Sequence, residues 1–210
     1  MWPEADKTQE LLANAKEGSE EAIGKLLDRH RDALRRMVQM RLDRRIQRRV
    51  DVSDIVQEVL FEANRRLSKY LQDPKMPFHL WLRHMARDRI IDAHRRHRVS
   101  AKRSVDREKP LTSPANVDRS TMEIAAQLCD PAITPAAAAT MHELARRFEA
   151  AIDELEERDR EVLLMRHFEH LTNQEVAQAL SLTEPAASMR YLRALRRLRA
   201  LIAETMPQED

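Results

Sequence analysis

The chain has 210 residues, of which 34% are charged, 4% are aromatic and only two are glycine. So little glycine excludes phosphate-binding loops and dinucleotide-binding fingerprints, which need it for positive φ or close backbone approach. The single cysteine, Cys129, excludes a disulfide framework and cysteine-based zinc sites. No apolar run reaches the roughly 18–20 residues that span a bilayer, and the N-terminal residues lack the regions of a signal peptide, so we expect a cytoplasmic protein.

The sign of the charge alternates along the chain, although the net charge is only +2. Residues 29–50 carry nine basic and two acidic side chains. Residues 74–109 carry eleven basic and four acidic side chains, so each segment has a net charge of +7. Arginine supplies 30 of the 37 basic residues, and it suits phosphate and guanine recognition. This pattern indicates a protein that binds both a polyanion and a protein partner. The alternative is a set of solvated arginine-rich helices.

Apolar residues recur every three or four positions almost without interruption from residue 9 onward, which predicts a helical domain over 1–98. Three apolar stripes follow one another at 23–38, 52–67 and 78–91. Two prolines at 74 and 77 break the pattern between the second and third stripes. The third stripe includes Phe78, Trp81 and Ile91, and we expect these side chains in the core.

The next stretch, residues 99–139, contains four prolines among Ser, Thr, Asn and Asp and has no sustained apolar period. It predicts a flexible linker with at most a short helix at 122–128. Cys129 lies here and is predicted to be an incidental thiol. Helical periodicity then returns and predicts a second domain over 140–206, which makes the chain an all-α protein of two small helical domains.

The second domain contains a predicted helix-turn-helix. Thr172 and Glu175 fit a capping box for a helix that runs to Leu180. Ser181 stands in the turn, where such motifs often have glycine, and Thr183 can cap a second helix over 184–203. This arrangement is typical of proteins that place a basic helix in the major groove, and the alternative is an ordinary helical hairpin.

On the second helix, we expect four apolar side chains on the buried side, namely Leu192, Leu195, Leu198 and Ile202. The outward side is expected to carry Ala186, Ala187, Ser188, Arg190, Arg193 and Arg197. Upstream of the motif, Asp159 is predicted to cap a further helix.

Three stretches together resemble a known family. Residues 51–59 resemble the segment by which sigma factors dock on the polymerase clamp helices, and residues 78–92 resemble the element that melts and reads the minus-ten box. Residues 157–199 resemble sigma domain 4, including the end of its recognition helix. The chain is therefore similar to the extracytoplasmic-function (group IV) sigma factors of bacterial RNA polymerase.

This resemblance implies three sites. Core polymerase would be bound by Asp51, Asp54, Gln57 and Glu58. Minus-ten DNA would be bound by Trp81, Arg87, Asp88, Arg89, Arg95 and Arg96. Minus-thirty-five DNA would be bound by Ala186, Ala187, Ser188, Arg190, Arg193 and Arg197.

The acidic residues also support a docking surface by their spacing. Asp54, Glu58 and Glu62 share one helix face opposite the apolar stripe, which favours a surface for a protein partner. The alternative is that this face only balances neighbouring arginines. Asp88 and Ser53 depart from the family, which often has Asn and Glu there. Phosphorylation of Ser53 would restore a negative charge, although a serine at a helix start is usually a cap.

The sequence therefore predicts a sigma factor that directs core RNA polymerase to promoter DNA at the nucleoid. The resemblance leaves open whether an anti-sigma factor also binds. The alternative is a stand-alone dimeric helix-turn-helix repressor, which would bind DNA without polymerase. We expect no enzyme, no cofactor and no metal, because no nucleophile–base pair or phosphate loop occurs. The histidine pairs 94/97 and 167/170 have no ligand cluster beside them.

Overall fold

The computed structural model describes residues 2–42, 49–101, 148 and 150–204. All regular secondary structure within these ranges is helical, which confirms the predicted all-α class. The chain divides into two compact units, Met1–Glu108 and Lys109–Asp210. Most of the predicted linker, with Cys129, lies outside the described residues, so the predicted domain boundaries stay predictions.

The helices described in the first unit are α1 (Ala5–Lys16), α2 (Glu20–Arg41), α3 (Val52–Gln72) and α4 (Phe78–Ala101). Ser19 caps α2, because its hydroxyl accepts a hydrogen bond from the Ala22 amide at 3.2 Å. Asp51 caps α3 by accepting from the Ser53 amide at 2.8 Å. The cap is thus the aspartate, and Ser53 lies inside the first turn.

The three apolar stripes form the core of this unit. The most deeply buried members, each at 0% exposure, are Leu26, Leu34, Val38, Val59, Ala63, Leu82 and Ala86. Ile91 departs from the prediction, because 49% of it is exposed. Its neighbour Ile90 takes the core position, and one helical residue further turns the side chain by about 100° away from the core.

Aromatic side chains close the end of the unit where α3 meets α4. Trp81 stacks on Tyr70 with ring centroids 4.7 Å apart, and Phe78 packs edge-on against His30 at 5.0 Å. The Tyr70 hydroxyl donates a hydrogen bond to the Met76 carbonyl at 2.9 Å, which fixes the connection between the two helices. Trp81 thus packs against the core, as its place in the third stripe predicts.

The second unit has a helical segment at 150–154, followed by α5 (Glu157–Leu163), a π-helical turn (Leu164–Phe168), α6 (Asn173–Ala179) and α7 (Glu184–Glu204). Its core gathers Phe148, Ile152, Leu155, Leu163, Ala194, Leu198 and Ile202. The predicted cap at Asp159 is wrong, because Glu156 occupies the N-cap position of α5. Asp159 lies in the first turn, where its carboxylate faces α7.

Candidate nucleic-acid and polymerase interfaces

The helix-turn-helix forms from the local interactions that its sequence predicts. The Glu175 amide donates to the Thr172 hydroxyl at 3.2 Å, and the Glu175 carboxylate accepts from the Thr172 amide at 2.7 Å. This confirms the capping box at the start of α6. Thr183 caps α7 as predicted, because its hydroxyl accepts from the Ala186 amide at 3.3 Å.

The turn between α6 and α7 requires a left-handed residue. Ser181 has a φ of 55°, in the region that favours glycine, so the serine bears a conformational cost there. The Leu182 amide donates to the Ala177 carbonyl at 2.8 Å, and the Asn173 side-chain amide donates to the Glu184 carbonyl at 3.0 Å. These bonds fix the start of α7 against α6.

Two side chains of α7 lie on the faces opposite to those predicted. Ala187 was expected outward but is 0% exposed, because it shares the buried face with Ala194 and Leu198. Leu192 was expected to be buried but is 44% exposed, since it lies five residues beyond Ala187 and therefore turns about 140° away. Met189, at 54% exposure, lies beside it on the outer face. Met189 was not among the site residues predicted from the sequence.

The arginines of α7 divide into two kinds. Arg197 lies 3.1 Å from the Glu156 carboxylate and 3.3 Å from that of Asp159, and its hydrogen bond with Glu156 raises the pKa of its guanidinium. Arg197 therefore braces α7 against the start of α5. In the described part of the chain Arg190 and Arg193 make no ion pair, and Arg193 is exposed whereas Arg190 is partly buried.

A polar contact behind α7 was missed by the sequence analysis. The Tyr191 hydroxyl and His167 Nε2 lie 3.0 Å apart, and the Arg166 guanidinium lies 5.6 Å from the Tyr191 ring centre. Burial, together with the positive charge of Arg166, lowers the pKa of His167, so this histidine favours its neutral form. The contact ties α7 to the π-helical turn and fixes its orientation.

In the first unit, the predicted polymerase-binding residues all lie on the exposed surface of α3 or at its start. The Asp51 carboxylate serves as the cap, whereas Asp54, Gln57 and Glu58 face outward. Phe61 is 66% exposed and lies among them, three residues after Glu58. Its spacing from the acidic residues could have identified it, because positions three and seven apart share a helix face.

The predicted minus-ten residues occupy α4. Arg87, Asp88, Arg95 and Arg96 are exposed there. Arg89 is different, because its guanidinium lies 3.8 Å from the carboxylates of both Glu58 and Glu62. The docking and DNA surfaces predicted from the sequence therefore meet at one groove between α3 and α4.

Within the described ranges, no group of three or more His, Cys, Asp or Glu side chains is placed to hold a metal ion. The helices described are also too short or too polar to cross a bilayer.

A helix-turn-helix in one unit, together with adjoining acidic and basic surfaces in the other, is typical of the class of transcription proteins that recognise DNA. Residues 26–99 match the family model "Sigma-70 region 2", and residues 145–198 match "Sigma-70, region 4". The chain therefore belongs to the sigma-70 family and carries both regions in the family's order. It is a sigma factor for promoter-directed transcription, as the sequence predicted, and this family consists of transcription regulators that are not enzymes.

Two solved structures share the fold. CnrH, in complex with the cytosolic domain of CnrY, superposes with a TM-score of 0.60 at 23% identity, over 96% of this chain and 100% of that chain. RpoE from Bartonella quintana, in complex with the anti-sigma factor NepR, superposes with a TM-score of 0.53 at 16% identity, over 84% of this chain and 93% of that chain. No curated protein sequence matches the chain at a significant level.

Proposed function

We propose that the first unit binds core RNA polymerase through α3 and melted minus-ten DNA through α4, while α7 reads the duplex minus-thirty-five element. The observation that carries this proposal is that the predicted polymerase and minus-ten residues lie on two adjoining helices of the first unit and expose opposite charges. The exposed acids Asp54 and Glu58 belong to α3, whereas the exposed arginines Arg87 and Arg95 belong to α4. One surface thus suits a protein partner and the other suits a polyanion.

The polymerase surface combines Asp51, Asp54, Gln57 and Glu58 with the exposed ring of Phe61. A large apolar side chain surrounded by polar groups is the usual composition of an interface centre and its rim. The acids would orient the encounter with a basic partner, and Phe61 would supply apolar contact area once docked.

The minus-ten surface is formed by Arg87, Asp88, Arg95 and Arg96, with Arg89 behind them. Single-stranded DNA requires a basic groove that follows its backbone, and these exposed arginines supply one. The Asp88 carboxylate can accept from a cytosine amino group, so we assign it a base contact. Trp81 packs on Tyr70, and we assign it the support of α4 instead of base stacking.

The minus-thirty-five surface is the first half of α7. Ala186 is exposed and small enough for close approach to the duplex, while Ser188, Arg190 and Arg193 supply polar contacts. We remove two residues from the predicted set, because Ala187 is buried and Arg197 is paired with two acids. Both hold α7 in position for the others.

An anti-sigma factor is a further proposed partner, because the similar RpoE was solved with one. Together with core polymerase and promoter DNA, it would meet the protein at the nucleoid in the cytoplasm. Competition between a candidate anti-sigma protein and core polymerase for the purified chain would test this partner.

Reconstitution with core polymerase tests the proposed function. The purified chain and core enzyme are mixed with a promoter library, and run-off transcripts are sequenced. We expect transcription from a defined promoter class only when both components are present. Asp54→Arg should abolish co-purification with core enzyme, whereas Glu17→Arg, the same charge change at an exposed site after α1, should not. A chain that binds promoter duplex equally well without polymerase would instead support the repressor alternative.

A further inference from the structure

Two large apolar side chains lie exposed on α7. Met189 is 54% exposed and Leu192 is 44% exposed, and their spacing of three residues places them on one face. This face is opposite the one that buries Ala187, Ala194 and Leu198. The packing of the second unit therefore leaves them out of its described core.

Their surroundings point to DNA as the partner. Arg193, Arg196 and Arg199 are exposed on the same side of α7, and none of them makes an ion pair with a residue that the structure describes. A protein partner would have to neutralise these charges around two apolar side chains, whereas the phosphates on either side of a groove do so directly. In a helix-turn-helix the first half of the second helix enters the major groove, so Met189 and Leu192 would face base edges.

Only one feature of the major groove suits an apolar side chain. The edges of guanine, adenine and cytosine present donors and acceptors, which an apolar group would leave unpaired, whereas thymine presents its 5-methyl group. Methionine is unbranched and adaptable, so it can reach a methyl group without imposing a single geometry.

We propose that Met189 and Leu192 select thymine in the minus-thirty-five element by contacting its 5-methyl group. This inference rests on the proposed role of α7 in duplex recognition and adds a base preference to it. The arginines then supply affinity for the backbone, and the apolar pair supplies discrimination between thymine and the other bases.

Replacement of thymine by deoxyuridine tests the inference, because it removes the methyl group and leaves base pairing intact. The probe is a promoter duplex selected from a randomised library by the holoenzyme, with each minus-thirty-five thymine replaced in turn. We expect one or two replacements to weaken binding of the wild-type holoenzyme by about three- to fivefold, the effect of burying one methyl group. Met189→Ala or Leu192→Ala should remove the preference for thymine at the corresponding position.

The matched control is Arg193→Ala, which should weaken binding to the thymine and deoxyuridine duplexes by the same factor. If Arg193→Ala weakens binding but no deoxyuridine replacement does, the thymine inference is wrong and the role of α7 stands. If neither arginine nor apolar variants affect promoter binding, the proposed role of α7 fails as well. Undiminished thymine preference in the double variant Met189→Ala/Leu192→Ala also overturns the inference.

Discussion

Arg89 of α4 lies 3.8 Å from the carboxylate of Glu62 on α3, whose side chain is only 15% exposed. The same guanidinium lies 3.8 Å from Glu58, a residue of the proposed polymerase surface. This contact links the helix that carries the proposed polymerase surface to the helix that carries the proposed minus-ten surface.

The first prediction is that Arg89 contributes to the stability of the first unit and Arg95 does not. Arg89→Ala should lower the free energy of unfolding of the first unit by about 1 kcal/mol, because it leaves the partly buried Glu62 without this contact from α4. Arg95→Ala should leave stability unchanged, since the structure gives Arg95 no ion pair in the described residues. Urea unfolding of both variants measures this difference.

Both variants should also slow promoter opening and should regain activity on a pre-melted template. If Arg89→Ala slows opening without any loss of stability, the ion pair with Glu62 makes no net contribution, and Arg89 acts on DNA alone.

The caps of the helix-turn-helix were predictable from the sequence, whereas long-range ion pairs were not. The capping box of Thr172 and Glu175 depends on residues three positions apart, so the chain itself determines it. The pairing of Arg197 with Asp159 joins residues 38 positions apart, and it depends on how α7 packs against α5. No periodicity in the sequence could identify it.

The buried and exposed faces of α7 show a second limit of prediction from the sequence. Hydrophobicity alone placed Leu192 inside and Ala187 outside, and the structure reverses both. The buried face of α7 contains Ala187, Ala194 and Leu198, and Leu192 lies about 140° around the helix from Ala187. A prediction that counts leucine but not alanine as a core residue therefore places the buried face wrongly at this end of α7.

The second prediction concerns Arg197. Arg197→Ala should lower the unfolding temperature of the second unit, because it removes the ion pairs with Glu156 and Asp159. Affinity for a minus-thirty-five duplex should fall less than in Arg193→Ala, for which we expect about a tenfold loss. Thermal unfolding and holoenzyme binding to promoter DNA are the two measurements. An unchanged unfolding temperature together with a large loss of affinity for promoter DNA would show that Arg197 contacts DNA, as the sequence predicts.

The third prediction concerns the strained turn. Ser181 has a φ of 55°, so Ser181→Gly should stabilise the second unit by about 0.5–1 kcal/mol, the conformational penalty less the extra entropy of unfolded glycine. Ser181→Val should destabilise it, because a β-branched residue fits this conformation poorly. Differential scanning calorimetry measures both changes, and promoter affinity should stay constant in the glycine variant.

The fourth prediction is a pH dependence in the first unit. His30 is 0% exposed, its Nδ1 lies 2.9 Å from the Leu26 carbonyl, and its Nε2 is buried without a hydrogen-bond partner. Burial lowers the pKa of His30 to about 4, from an ordinary value of 6.5. Because the unfolded chain binds this proton more readily, stability is full above pH 6.5 and falls as the pH drops toward 4.

The pKa difference corresponds to a loss of about 3 kcal/mol once the pH is below both values. His30→Leu removes the titrating group and should flatten the pH dependence of unfolding between pH 6.5 and 4. Because carboxylates titrate in the same pH range, the quantity to measure is the difference in the free energy of unfolding between the wild type and the variant at each pH. Parallel pH profiles for the two proteins would show that His30 is not the group responsible.

The fifth prediction concerns Phe61, which is 66% exposed beside Glu58 and which the sequence analysis did not select. If Phe61 is the apolar centre of the polymerase surface, Phe61→Ala should weaken binding to core enzyme by at least about tenfold, as truncation of an interface anchor does. The matched control is Ile91→Ala, since Ile91 is 49% exposed on α4 and should leave core affinity unchanged. Because Phe61→Ala changes no charge, its effect should persist at high salt, whereas the effect of Asp54→Arg should weaken as salt screens the charges. Equal core affinity for the wild type and Phe61→Ala across the salt range would leave the acidic residues as the whole of the docking surface.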